Sequence, residues 1–113
     1  MLDISSIKIY LYTKSIFMSV RITCIKKDGG NHENPHTAIS ILGWVNESAG
    51  ASGQSTRVQM YDFVKGGGQA YVRDSRSNLA YLIAEVSSRG TKFVKTKPDG
   101  TTTDNLLKLI ECS

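Results

Sequence analysis

Three short runs of alternating side chains, at residues 69–73, 79–86 and 91–96, limit this chain more than any other feature. Between them stand two turn clusters, Asp74-Ser75-Arg76-Ser77-Asn78 and Ser88-Arg89-Gly90. Strand-like runs joined by such clusters read as an antiparallel β-meander. In the middle run, Leu82, Ala84 and Val86 alternate with Tyr81, Ile83 and Glu85, so one face is more apolar than the other. Ahead of the meander, Gly66-Gly67-Gly68 ends the clearest helix of the chain, at about 55–65. Thr56 and Gln59 have the spacing of a capping box. Val58, Tyr61 and Val64, flanked by Met60 and Phe63, supply the apolar stripe.

The first half is less settled. Residues 19–26 alternate, with Val20, Ile22 and Cys24 on one side and Arg21 and Thr23 on the other, which predicts a half-buried strand. It stops at Asp28-Gly29-Gly30-Asn31. Asn34 as N-cap and Pro35 at the first helical position predict a short helix, with Ile39 and Leu42 on one face and Gly43 as its end. One continuous strand over 38–45 is the alternative, and periodicity does not separate the two in so short a run. The small and polar stretch 46–54 reads as a loop, and Asp104 as the cap of a last turn docked by Leu106, Leu107, Leu109 and Ile110. The expected fold is therefore α+β. It is a single small domain with an opening strand, a short helix and one main helix packed on an antiparallel meander.

The 113 residues allow one core, and 40% hydrophobic with 21% charged residues is ordinary globular composition. Residues 1–17, interrupted by Asp3, Lys8 and Lys14, lack the layout of a signal peptide and are too charged to span a bilayer. They read as an N-terminal extension before a domain at 18–113, and an extra β-strand is the competing reading. Cys24 and Cys112, the only cysteines, stand at opposite ends of the domain. With no signal peptide, they read as reduced thiols of a cytoplasmic protein. A net charge of +4 permits an anionic partner without requiring one.

No motif in the chain spells out an active site. His32-Glu33-Asn34-Pro35-His36 satisfies H-E-x-x-H, the zinc-protease pattern that needs both histidines one turn apart on a helix. Pro35 and the glycines before His32 work against that helix, so the match reads as chance and no metal or other cofactor is expected. Cys24 lies on the apolar side of its strand, which suits an inert thiol better than a nucleophile. The Gly/Ser stretch 50–57 lacks the Lys-Ser/Thr of a P-loop and reads as a plain connection. Asn46-Glu47-Ser48 matches a glycosylation site by chance. The best functional clue is a basic hairpin at 89–97, in which Phe93 interrupts Arg89, Lys92, Lys95 and Lys97. Phe93, Lys95 and Lys97 would share a strand face near Tyr71 and Arg73. Such a face suits single-stranded nucleic acid, whose bases stack and whose phosphates pair with cations. The same lysines also serve as solvated charges that guard an edge strand, and that reading is preferred.

Taken together, several segments resemble a small bacterial family, domain of unknown function 3892. They are Ile22-x-x-Ile25-x-Lys27, Asn34-Pro35-His36 with Ile39 and Gly43, and Ala70-Tyr71-Val72. Gly90-Thr91-Lys92-Phe93-Val94-Lys95-Thr96 and Asp104-Asn105-Leu106-Leu107 with Leu109 and Cys112 complete the match. The resemblance runs from Met18 to Cys112. Phe93 stands where the family usually has tyrosine, and Ile110 where it has proline. The resemblance implies a cytoplasmic domain and brings no activity or catalytic residues.

The function class favoured by these features is a non-enzymatic binding or interaction module. Weak, sequence-tolerant nucleic-acid binding through hairpin 89–97 is the alternative, with Lys92, Phe93, Lys95, Lys97, Arg73 and Tyr71 as its binding residues. A small enzyme comes third. A protein partner or self-association is open, nucleic acid is admitted but not favoured, and a membrane is not expected.

Overall fold

In a computed structural model, residues 19–30, 32, 34–74, 76–97 and 106–113 are described. The N-terminal extension, Glu33, the turn expected at Pro98-Asp99-Gly100 and the cap expected at Asp104 lie outside them. Three strands come first, β1 (Ser19–Lys27), β2 (Ile39–Asn46) and β3 (Ala51–Thr56). Helix α1 (Arg57–Lys65) follows, then β4 (Gln69–Arg73), β5 (Leu79–Val86) and β6 (Lys92–Thr96). The strands form one sheet in the order β3-β2-β1-β4-β5-β6. Neighbours pair antiparallel except β1 and β4, which run parallel at the centre. Each half is thus a three-strand meander, and α1 carries the chain from the β3 edge back to the middle. A nine-residue helix is about 13.5 Å long. That is close to the roughly 14 Å separating strands three places apart.

The expected meander and main helix are present, but the chain is richer in strands than a helix laid on a meander. The short helix expected from Asn34 to Gly43 does not form. Asn34 does cap a turn, its Oδ1 accepting from the backbone N–H of His36 and Thr37. Bonds from Thr37, Ala38 and Ile39 to carbonyls three residues earlier tighten it, and the chain then extends into β2. The cap chemistry is local, whereas β2 bonds to a strand on each side, and the β-branched Ile39, Ile41 and Val45 fit that pleat. The stretch expected as a loop at 46–54 is a hairpin instead. Asn46 pairs with Ala51 across a turn at 47–50, where Gly50 takes φ 69°. Asn46 is buried and its Oδ1 accepts from the Ala49 N–H, so this asparagine is not displayed as a glycan acceptor would be.

Helix α1 begins as its sequence indicates. Thr56 Oγ1 accepts from the Gln59 N–H at 3.2 Å, and Gln59 Oε1 accepts from the Thr56 N–H at 2.9 Å. Met60, Tyr61 and Phe63 bury against the sheet. There they meet Val20, Ile22 and Ile25 of β1, Ile39, Leu42 and Trp44 of β2, Ala70 and Val72 of β4, and Leu82 and Val94 beyond. The Trp44 indole N–H, deep in this layer, donates to Ser55 Oγ at 3.0 Å. Arg57 fastens the start of α1 by donating to the carbonyls of Lys92 and Thr37.

A bulge in β1 overturns two expectations about Cys24. Ile22 faces Trp44, but Cys24 faces Gly43, so two steps on β1 match one on β2. Strict alternation would place Cys24 with Val20 and Ile22. The extra residue moves it to the sheet face turned away from α1, and Ile25 takes the core position. On that face Cys24 is not a reduced thiol. It forms a disulfide with Cys112, Cα atoms 5.0 Å apart. The C-terminal tail continues the line of β4 alongside β1: the Ile25 N–H donates to the Ile110 carbonyl and the Cys112 N–H to the Ile25 carbonyl. This parallel pairing brings together cysteines 88 residues apart in sequence. Gly43 makes room beneath them, since a Cβ there would collide with Cys24 Sγ and come within 3.3 Å of Cys112 Sγ.

Candidate functional site

Because α1 covers one face of the sheet, the side chains between core positions emerge on the other. Arg21 lies between Val20 and Ile22, Tyr71 between Ala70 and Val72, and Tyr81 between Ala80 and Leu82, all six flanking residues being buried. Strand pairing then aligns them. Arg21 stands beside Tyr71 across the parallel pair, and Tyr71 beside Tyr81 across the next. The two tyrosine rings are 5.9 Å apart and tilted by 53°. Tyr81 remains 41% exposed. Arg73 follows on the same side of β4.

The turn after β2 brings a carboxylate to this row. Glu47 Oε1 accepts from the Tyr71 hydroxyl at 3.2 Å, from Arg21 Nε at 3.3 Å and from an Arg73 terminal nitrogen at 3.4 Å. The Tyr71 hydroxyl, then the Arg73 and Arg21 guanidiniums, hold the Glu47 carboxyl below its ordinary range. Burial pushes the Tyr71 phenol up, and its bond to Glu47 adds to the rise.

The residues of the basic hairpin are split between the two sides of the sheet. Lys92 turns to the helix side, its Nζ 5.5 Å from the centre of the Tyr61 ring. Phe93 is 7% exposed, with its ring stacked 6.2 Å from that of His36. Lys95 pairs with Glu85 at 3.8 Å across the β5–β6 hairpin. Lys97 is exposed and its backbone N–H donates to the Tyr81 carbonyl. Tyr71 and Arg73, the outlying members of the expected set, stand together on the outward side of β4. Arg21, Glu47 and Tyr81 complete that cluster. The alternation of β1 and β5 marks Arg21 and Tyr81 as outward, but no local pattern tells which strands become neighbours.

His32 and His36 do not share a helical face. Both lie in the connection between β1 and β2, where His32 Nε2 is 3.1 Å from the Asp28 carbonyl oxygen and His36 stacks on Phe93. Among the described residues, no three His, Cys, Asp or Glu side chains gather as metal ligands. A small depression of about 170 Å³ lies beside the tail, lined by Ile25, Lys27, Leu107, Leu109 and Glu111. Among the described residues, no helix is long and apolar enough to cross a membrane.

Residues 21–110 match the family model described as protein of unknown function (DUF3892). No curated protein and no solved structure matches the chain. The match takes in β1 from Arg21 onward, β2 to β6, the helix and every member of the Arg21, Glu47, Tyr71, Arg73 and Tyr81 cluster. The chain therefore belongs to the DUF3892 family.

Proposed function

We propose that this protein is a non-enzymatic binding module that takes single-stranded nucleic acid, without sequence preference, on the sheet face turned away from α1. The observation that carries the reading is the Tyr71–Tyr81 pair, set on neighbouring strands and flanked by Arg21 and Arg73. A strand-borne aromatic pair offers bases a stacking surface, and guanidiniums beside it suit phosphates. This moves the binding surface off hairpin 89–97. Phe93 and Lys92 are engaged elsewhere, leaving Lys95 and Lys97 as outlying charges along the path of a strand.

Fluorescence anisotropy with ten-nucleotide single-stranded DNA and RNA at low salt tests the proposal. Tyr81→Ala is the informative variant because that side chain is substantially exposed. It is expected to weaken binding by roughly 1–3 kcal/mol, the worth of one stacked base. The slope of log affinity against log salt should fall by about 0.7 for each arginine removed that neutralises a phosphate. Equal binding by wild type and Tyr81→Ala, both folded, would remove this face from consideration. A cytoplasmic location is compatible with this function, with the Cys24–Cys112 bond then a reversible link, since reducing compartments keep thiols open. Quantitative thiol labelling of the protein in freshly quenched cells distinguishes a reduced pool from an oxidised one.

A further inference from the structure

Three donors from two neighbouring strands converge on Glu47, and all three reach the same oxygen, Oε1. One carboxylate oxygen offers two lone-pair directions, so three donors exceed what it can serve. The contacts are correspondingly long, 3.2 to 3.4 Å. Charge-assisted N–H···O bonds settle nearer 2.7–2.9 Å. A group with several oxygens around one centre would satisfy these donors separately. Phosphate is such a group, and arginine forks bind it through two parallel bonds. The two sides of the cluster also differ in how firmly they are held. Arg21, Tyr71 and Arg73 stand on paired strands at the sheet centre. Glu47 stands on the turn at 47–50, where it can swing away without breaking a ladder bond. Its side chain is 45% exposed, so water is ready to solvate the displaced carboxylate.

We infer that Glu47 is an internal stand-in for a phosphate group, occupying the Arg21–Tyr71–Arg73 donor set until a nucleic-acid backbone displaces it. The inference rests on the binding reading above and adds that the site is held partly closed by the protein's own carboxylate. Displacing it costs the free protein two exposed ion pairs and the Tyr71 hydrogen bond. Because such pairs are individually weak, the occupant blocks the site only modestly and can be exchanged readily.

Glu47→Gln keeps the size of the side chain and removes its charge. With ten-nucleotide single-stranded DNA or RNA at low salt, this variant is expected to bind roughly 2- to 30-fold more tightly than wild type, the range that two exposed pairs allow. Thermal unfolding of both proteins checks that the fold is intact. Inorganic phosphate gives a second readout that needs no nucleic acid. Its titration should shift the Nε–H resonances of Arg21 and Arg73 at lower concentration in Glu47→Gln than in wild type. A phosphate response enhanced in the variant, with no oligonucleotide binding by either protein, would uphold the stand-in and overturn the nucleic-acid reading. Oligonucleotide binding that depends on Tyr81 but is unchanged or weakened in Glu47→Gln would overturn the stand-in alone. Tighter binding of a poly-glutamate peptide than of the oligonucleotides by Glu47→Gln would overturn the choice of phosphate.

Discussion

Glu47 shows how much a single side chain here owes to neighbours that are distant in sequence. Its partners Arg21, Tyr71 and Arg73 are 24 to 26 residues away, and each arrives on a strand whose own alternation sends it outward. Since these partners favour the ionised carboxylate, its titration midpoint in the folded protein lies below the ordinary 4.5. The sign of the linkage follows. The group contributes stability above the ordinary glutamate range and loses it as pH falls from 4.5 through the lowered midpoint. Carbon-detected NMR titration of the Glu47 carboxyl should show the depressed midpoint. It should move up toward the ordinary value in Tyr71→Phe, which removes the first contributor, and in Arg73→Ala. An unchanged midpoint in Tyr71→Phe would show that the hydroxyl does not hold the carboxylate in solution.

At the scale of elements, α1 and β2 make an instructive pair, because both follow sequences with a good helix start. The box formed by Thr56 and Gln59 is followed by nine helical residues, while the Asn34 cap leads into only one turn. The difference lies in what comes next. After Thr56, the apolar residues Met60, Tyr61 and Phe63 recur with a spacing that buries one side of a helix against the sheet. After Asn34, Ile39, Leu42 and Trp44 fit either a helix or a strand, and the gap between β1 and β3 is filled by a strand. Capping at Thr56 should therefore matter to stability in a measurable way. Thr56→Ala is expected to destabilise the protein by about 1 kcal/mol, within a range of roughly 0.5–2, in chemical denaturation. A loss below a few tenths would mean that packing alone sets the start of α1.

For the whole molecule, the Cys24–Cys112 disulfide closes a covalent loop across a sequence separation of 88 and anchors the tail beside β1. The tail has other holds. Leu106 is fully buried, worth roughly 1.5–3 kcal/mol. Each backbone bond to Ile25 adds about 0.5–1.5 kcal/mol. Reduction should thus weaken the protein without unfolding it. The expected loss is about 2–5 kcal/mol, read as a lower denaturation midpoint in dithiothreitol, with the far-ultraviolet circular dichroism of the native state retained. Cys24→Ser/Cys112→Ser should match the reduced protein. No difference between oxidised and reduced protein would show that the link does not constrain the folded chain.

The local features legible in the sequence were those decided within a few residues. The box at Thr56, the glycines after α1 and the three alternating runs of β4, β5 and β6 emerge at or within about a residue of where the pattern puts them. The bonds of the cap span three residues, and the turn clusters that bound the strands are equally local. Tertiary structure alone decided whether 39–46 extends, because the deciding bonds come from β1 and β3. It decided the β1 bulge, which depends on register against Gly43 and sends Cys24 to the opposite face. It also decided that β1 and β4 lie side by side. That pairing makes one cluster of Arg21 and Tyr71, 50 residues apart. Alternation tells a strand which side chains face outward. Only the order and register of the strands tell those side chains which others they will meet.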